Sequence, residues 1–95
     1  MRVLLVEDDI TAARGIVLML KSSGLIVDTT DTGEEALELV RHYDYDIVVL
    51  DLMLPDMEGY EVVRRMRVAR LETPVLILSG LSLSLIHISE PTRPY

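Results

Sequence analysis

The sequence predicts an α/β domain built on a parallel sheet. Val3–Val6, Ile47–Leu50 and Val75–Leu78 are short, almost wholly apolar runs, as expected of strands buried on both faces. The segments between strands carry apolar residues at helical spacing. Connections are short, so the order βαβαβαβ calls for parallel strands joined by right-handed crossovers.

The elements follow in order. Val3–Val6 forms the first strand and ends at Glu7-Asp8-Asp9. Ile10, Ala13, Ile16, Val17, Met19 and Leu20 then mark a helix running through Lys21, with Asp9 as its N-cap and Gly24 just past its end. Leu25–Thr30, β-branched and half apolar, is the second strand. Thr32 and Glu35 have the spacing of a capping box, opening a helix whose inner face is Ala36, Leu37 and Val40. The Ile47–Leu50 strand stops at Asp51, and Pro55 ends regular structure soon after. Gly59 to Arg70 reads as a third helix, with Val62, Val63 and Met66 inward and Arg64, Arg65, Arg67 and Arg70 outward. Thr73-Pro74 breaks it, and Val75–Leu78 is the fourth strand, ending at Ser79-Gly80.

Ninety-five residues suit one small domain, and an apolar share of 49% is ample for a core of Val, Leu, Ile and Met. A net charge of −7, with Lys21 the only lysine, argues against a nucleic-acid surface on this segment. The absence of cysteine excludes disulfides and thiolate metal sites. No signal-peptide h-region opens the chain, and no apolar run approaches ~18 residues, so a soluble cytoplasmic protein is expected, without membrane association.

After Leu81 the consistent pattern stops. From 82 to 95 the sequence suggests neither a capped helix nor a further strand, which leaves the fourth strand as an uncovered sheet edge. Leu83–Arg93 resembles the translation of a transposase-based sequencing-library adapter. Residues 1–81 are therefore expected to form the domain, and 82–95 to be an adapter-derived tail set apart from the fold.

In parallel sheets, chemistry gathers beyond the carboxyl ends of the strands. Glu7 and Asp8 fall there after the first strand, Asp51 after the third and Ser79-Gly80 after the fourth. Adjacent carboxylates repel, so gathering them is costly unless a cation or shared proton offsets the charge. Oxygen-only ligands favour a hard cation, Mg²⁺ before Mn²⁺ or Ca²⁺. A carboxylate beside such a cation, a serine hydroxyl and a glycine amide suits phosphoryl acceptance, with Asp51 as nucleophile. Met53 is placed to lend a backbone carbonyl to the metal, its side chain reading as packing. Asp56 and Glu58 read as loop acids, Arg64, Arg65 and Arg67 as a solvated helix face, and His42 and His87 as non-catalytic.

Val-Glu-Asp-Asp at 6–9, Asp-Leu-Met-Leu-Pro-Asp-Met-Glu-Gly at 51–59 and Leu-Ser-Gly at 78–80 together resemble the receiver domains of two-component response regulators. The resemblance implies a flavodoxin-like (CheY-like) three-layer parallel sheet of order 2-1-3-4-5, here truncated after the fourth strand. It implies Asp51 as phospho-acceptor, Asp8 binding Mg²⁺ directly, Glu7 through water, Met53 through its carbonyl, and Ser79 contacting the phosphoryl group and moving on switching. A histidine kinase or histidine phosphotransfer protein would be the donor, and the domain would not be a turnover enzyme. The wording also resembles that of cell-cycle regulators, which implies an output through a winged-helix DNA-binding domain of the OmpR/PhoB class, absent from this segment. The family's fourth helix, fifth strand with its lysine, fifth helix and usual dimer face have no counterpart here, and Lys21 cannot replace that lysine. Marginal stability is expected as a result.

Two other readings compete. A haloacid-dehalogenase-type phosphatase also places its nucleophile after a strand, but needs a second Asp where Met53 stands and has no use for Glu7-Asp8. A pseudo-receiver would bind partners without phosphorylation, against which Glu7, Asp8, Asp51 and Ser79 are all in place. No Gly-x-x-x-x-Gly-Lys exists to support a P-loop enzyme.

Overall fold

The computed structural model describes residues 1–79 and 82–86. Its elements are β1 (Arg2–Val6), α1 (Ile10–Ser22), β2 (Ile26–Thr30), α2 (Gly33–His42), β3 (Ile47–Asp51), α3 (Gly59–Val68), β4 (Val75–Ser79) and β5 (Ser82–Ile86). The sheet order is β2-β1-β3-β4-β5, parallel throughout β2-β1-β3-β4. This is the three-layer α/β architecture that the apolar runs predict.

Alternation along the buried strands sends side chains into two cores. Leu4, Val6, Val48, Leu50, Val75 and Ile77 pack with Ala36, Leu37 and Val40 of α2 and Val62, Val63 and Met66 of α3. On the opposite face Val3, Leu5 and Val49 are buried, with Ala13, Ile16, Val17 and Leu20 of α1 packed against them. The two faces are unequal. α1 buries no residue fully, and Leu76 and Leu78 on its side of the sheet are only partly covered.

Helix ends follow the expected chemistry. Asp9 Oδ1 accepts from Thr11 N and Ala12 N at 3.0 and 3.2 Å, and Gly24 takes a φ of +88° beyond α1. Thr32 Oγ1 accepts from Glu35 N at 3.2 Å, but Glu35 does not complete the capping box; its Oε1 accepts instead from Thr30 Oγ1 at 2.6 Å. α3 stops at Val68, two residues short of the expected Arg70, which adopts a φ of +64° and turns the chain out of the helix.

One expectation is corrected. β4 is not an uncovered edge, because β5 pairs antiparallel along its whole length, from Ser79↔Ser82 to Val75↔Ile86. Ser82-Leu83-Ser84-Leu85 alternates polar and apolar residues, a strand period that the sequence already contained. Only two residues separate the strands, too few for a parallel crossover, so the parallel sheet itself ends at β4. Residues 87–95 of the proposed tail, His87 among them, lie outside the described residues.

Candidate functional site

Strand register brings the acids together. Val6 is the Cα partner of Leu50, so Glu7 and Asp51, each one residue further on, emerge at the same level of adjacent strands. One ligand oxygen from each of Glu7, Asp8 and Asp51 lies within 4.8 Å of the other two. Asp8 is exposed, while Glu7 and Asp51 are half-buried. Glu7 Oε2 accepts from Asp9 N at 3.1 Å, and Glu7 N donates to Thr30 O at 3.0 Å, fixing the β1 end against the edge of β2.

The electrostatics of this cluster show in Glu7. Burial, with the negative charges of Asp51 and Asp8, pushes its carboxyl above its ordinary value, against the lowering effect of the Asp9 amide. Three acids so close, with no basic side chain paired to any of them among the described residues, fit a cation. The donor set is all oxygen, which suits a hard divalent ion. Lys21 sits in the last turn of α1, twelve residues and roughly 18 Å of helix beyond Asp9. It stands well away from the acids.

The β3–α3 loop is tightly folded. Leu54 N donates to Met57 O at 3.1 Å, Met53 and Glu58 form an isolated bridge, and Gly59 N donates to Leu52 O at 2.6 Å. Gly59 permits this closure, since a Cβ there would lie 2.5 Å from the Asp51 carbonyl oxygen. Met53 falls on this loop two residues after Asp51. Met53 is 68% exposed, which corrects the reading of its side chain as packing: the residue sits on the bridged loop, outside the core. Ser79 ends β4 one residue past Leu78, the Cα partner of Asp51, and its side chain lies outside the described residues.

A model of the response regulator receiver domain matches residues 3–86. The chain belongs to the response regulator receiver domain family. The receiver is 58% identical over 82 residues to the cell cycle response regulator CtrA of Brucella ovis and, equally, to that of Brucella abortus. That alignment covers 86% of this chain and 35% of each relative, so the receiver spans about a third of the curated relatives it matches. Among solved structures it is similar to the Francisella response regulator 1452 receiver domain, with a TM-score of 0.81 and 33% identity over 85% of this chain and 67% of that one. It is also similar to the receiver domain of the sensor histidine kinase PA1611 of Pseudomonas aeruginosa, with a TM-score of 0.79 and 30% identity over 84% of this chain and 67% of that one. That structure has a magnesium ion coordinated in its active-site cleft.

In this receiver two residues depart from their sequence readings, one of them beside the site and one at the far end of α3. Asp56, read as a loop acid, accepts from Gly33 N at 2.8 Å through Oδ1 and from Glu34 N at 2.9 Å through Oδ2. Arg67, read as solvated, is half-buried with its Nη1 enclosed and unpartnered. The Asp56 contact spans 23 residues, and nothing in local spacing announces it.

Proposed function

We propose that this receiver accepts a phosphoryl group on Asp51 from a phosphohistidine donor, with Mg²⁺ held by Asp8, Asp51 and the Met53 carbonyl, and by Glu7 through water. The observation that carries this reading is the convergence of Glu7, Asp8 and Asp51 oxygens within 4.8 Å at the carboxyl edge of the sheet. Bound Mg²⁺ would neutralise charge on the transferring group's oxygens. The chain's own residues do the rest. An Asp51 carboxylate oxygen forms the new O–P bond as the P–N bond of the donor breaks. The bonding pair leaves on the imidazole nitrogen, which takes up a proton. Ser79, at the end of the neighbouring strand, is the hydroxyl proposed to contact the phosphoryl oxygens and to report the modified state.

The donor class is a histidine kinase or a histidine phosphotransfer protein, and the receiver is an acceptor rather than a turnover enzyme. In the whole protein the output is a DNA-binding domain of the OmpR/PhoB class, acting in the cytoplasm. The likeness to CtrA supports that output, and no described helix is long and apolar enough to cross a membrane. Residues 82–95 we assign to adapter sequence. Reading the DNA after codon 82 tests this: adapter sequence bears it out, and matching genomic sequence contradicts it.

Incubation with Mg²⁺ and acetyl phosphate tests the main proposal. A hydroxylamine-sensitive acyl phosphate should form on the wild type and be absent from Asp51→Asn. Equal labelling of Asp51→Asn would overturn the assignment.

A further inference from the structure

We propose that the first turn of α2 is a brace that holds the two acid-bearing loops of the site in register, with Asp56 as its positioning residue. The inference rests on the receiver reading and adds to it a residue outside the carboxylate cluster. Asp56 lies at the tip of the β3–α3 loop, five residues beyond Asp51, and its carboxylate spans the first two amides of α2 at 2.8 and 2.9 Å. The Gly33 amide above all, helped by that of Glu34, holds the Asp56 carboxyl below its ordinary value. Met57 packs on the same turn so closely that a Cβ at Gly33 would meet its Cγ at 2.6 Å. The loop that presents Asp51 and Met53 is thus seated on α2.

The β1 side reaches the same turn by another route. Glu7 N donates to Thr30 O at 3.0 Å, and Thr30 Oγ1 donates to Glu35 Oε1 at 2.6 Å, on the third residue of α2. One helical turn therefore ties down both halves of the acid cluster, Glu7 through Thr30 and Asp51 through Asp56. Acids that repel each other need such outer support to stay convergent, and outer-shell partners of metal ligands commonly change affinity by an order of magnitude or more.

Mn²⁺ affinity, measured by electron paramagnetic resonance on the full chain without phosphodonor, tests the brace. Asp56→Ala should weaken Mn²⁺ binding on the order of tenfold. Asp56→Asn should fall between, because its amide offers one acceptor oxygen where two N–H groups need partners. Tyr45→Phe, which loosens the opposite end of the sheet, should bind as the wild type does. Unchanged affinity in Asp56→Ala, or an equal loss in Tyr45→Phe, would overturn the proposal. Acyl-phosphate labelling of the same proteins separates the two ideas. A wild type that binds Mn²⁺, weakens with Asp56→Ala and never labels supports the brace and sinks phosphoryl acceptance. A wild type that labels while Asp56→Ala keeps full Mn²⁺ affinity sinks the brace alone.

Discussion

Gly59 and Asp51 show how much a single atom decides at this site. A methyl group at Gly59 would press on the Asp51 carbonyl oxygen and on Leu52 Cα at 3.1 Å, both backbone atoms that cannot rotate away. Gly59→Ala should therefore destabilise the fold by about 1–3 kcal/mol, read by urea denaturation, and slow acyl-phosphate formation by moving Asp51. Asp51 itself carries the opposite cost. With Glu7 and Asp8 beside it, its charge is repelled in the absence of a cation, so Asp51→Asn should raise metal-free stability by about 1 kcal/mol. Mg²⁺ should stabilise the wild type more than this variant in thermal melts. These acids were legible in the sequence because each ends an apolar run. Asp56 was not, since a carboxylate that caps a helix 23 residues upstream leaves no periodic trace.

At the scale of elements, the amino ends of β1 and β3 are clasped opposite the acid site. Tyr45 is buried, and its hydroxyl donates to Asp28 Oδ2 at 2.7 Å. Arg2 bonds the same oxygen at 3.3 Å and lies over the Tyr43 and Tyr45 rings at 5.9 and 5.7 Å. Burial first, then the bond to Asp28 and its charge, pushes the Tyr45 phenol from 10.0 up to about 12. The unfolded chain therefore ionises before the folded one. Stability from this group is complete below pH 10 and is lost as pH rises through about 12. Tyr45→Phe should cost about 1–2 kcal/mol at neutral pH and flatten the alkaline limb of a stability–pH curve. Helix caps at Asp9 and Thr32 were readable from residue type, whereas β5 was missed because its alternating Ser-Leu pairs were set aside with the tail.

Across the whole molecule, the two faces of the sheet differ in burial. α2 and α3 seal one face with six buried residues apart from their glycines, and α1 contributes none to the other. Amide hydrogen exchange should therefore find α1 opening more readily than α2, α3 and the central strands β1 and β3. Uniform protection across all three helices would contradict this. The α/β order and the parallel sheet were legible because fully buried strands read as continuous apolar runs. The unequal covering of the two faces was not, since α1 is apolar on more than one side: Ala13, Ile16, Val17 and Leu20 pack on the sheet while Ile10, Leu18 and Met19 stay exposed.

Everything functional depends on the meeting of acids from β1 and β3 around Asp51. Intact-mass spectrometry after exposure to acetyl phosphate and Mg²⁺ tests this most directly. One phosphoryl group should be added, removed by hydroxylamine and absent from Asp51→Asn. A protein that folds, binds divalent cations and still gains no phosphoryl group, or gains it equally in the Asp51→Asn variant, would contradict it.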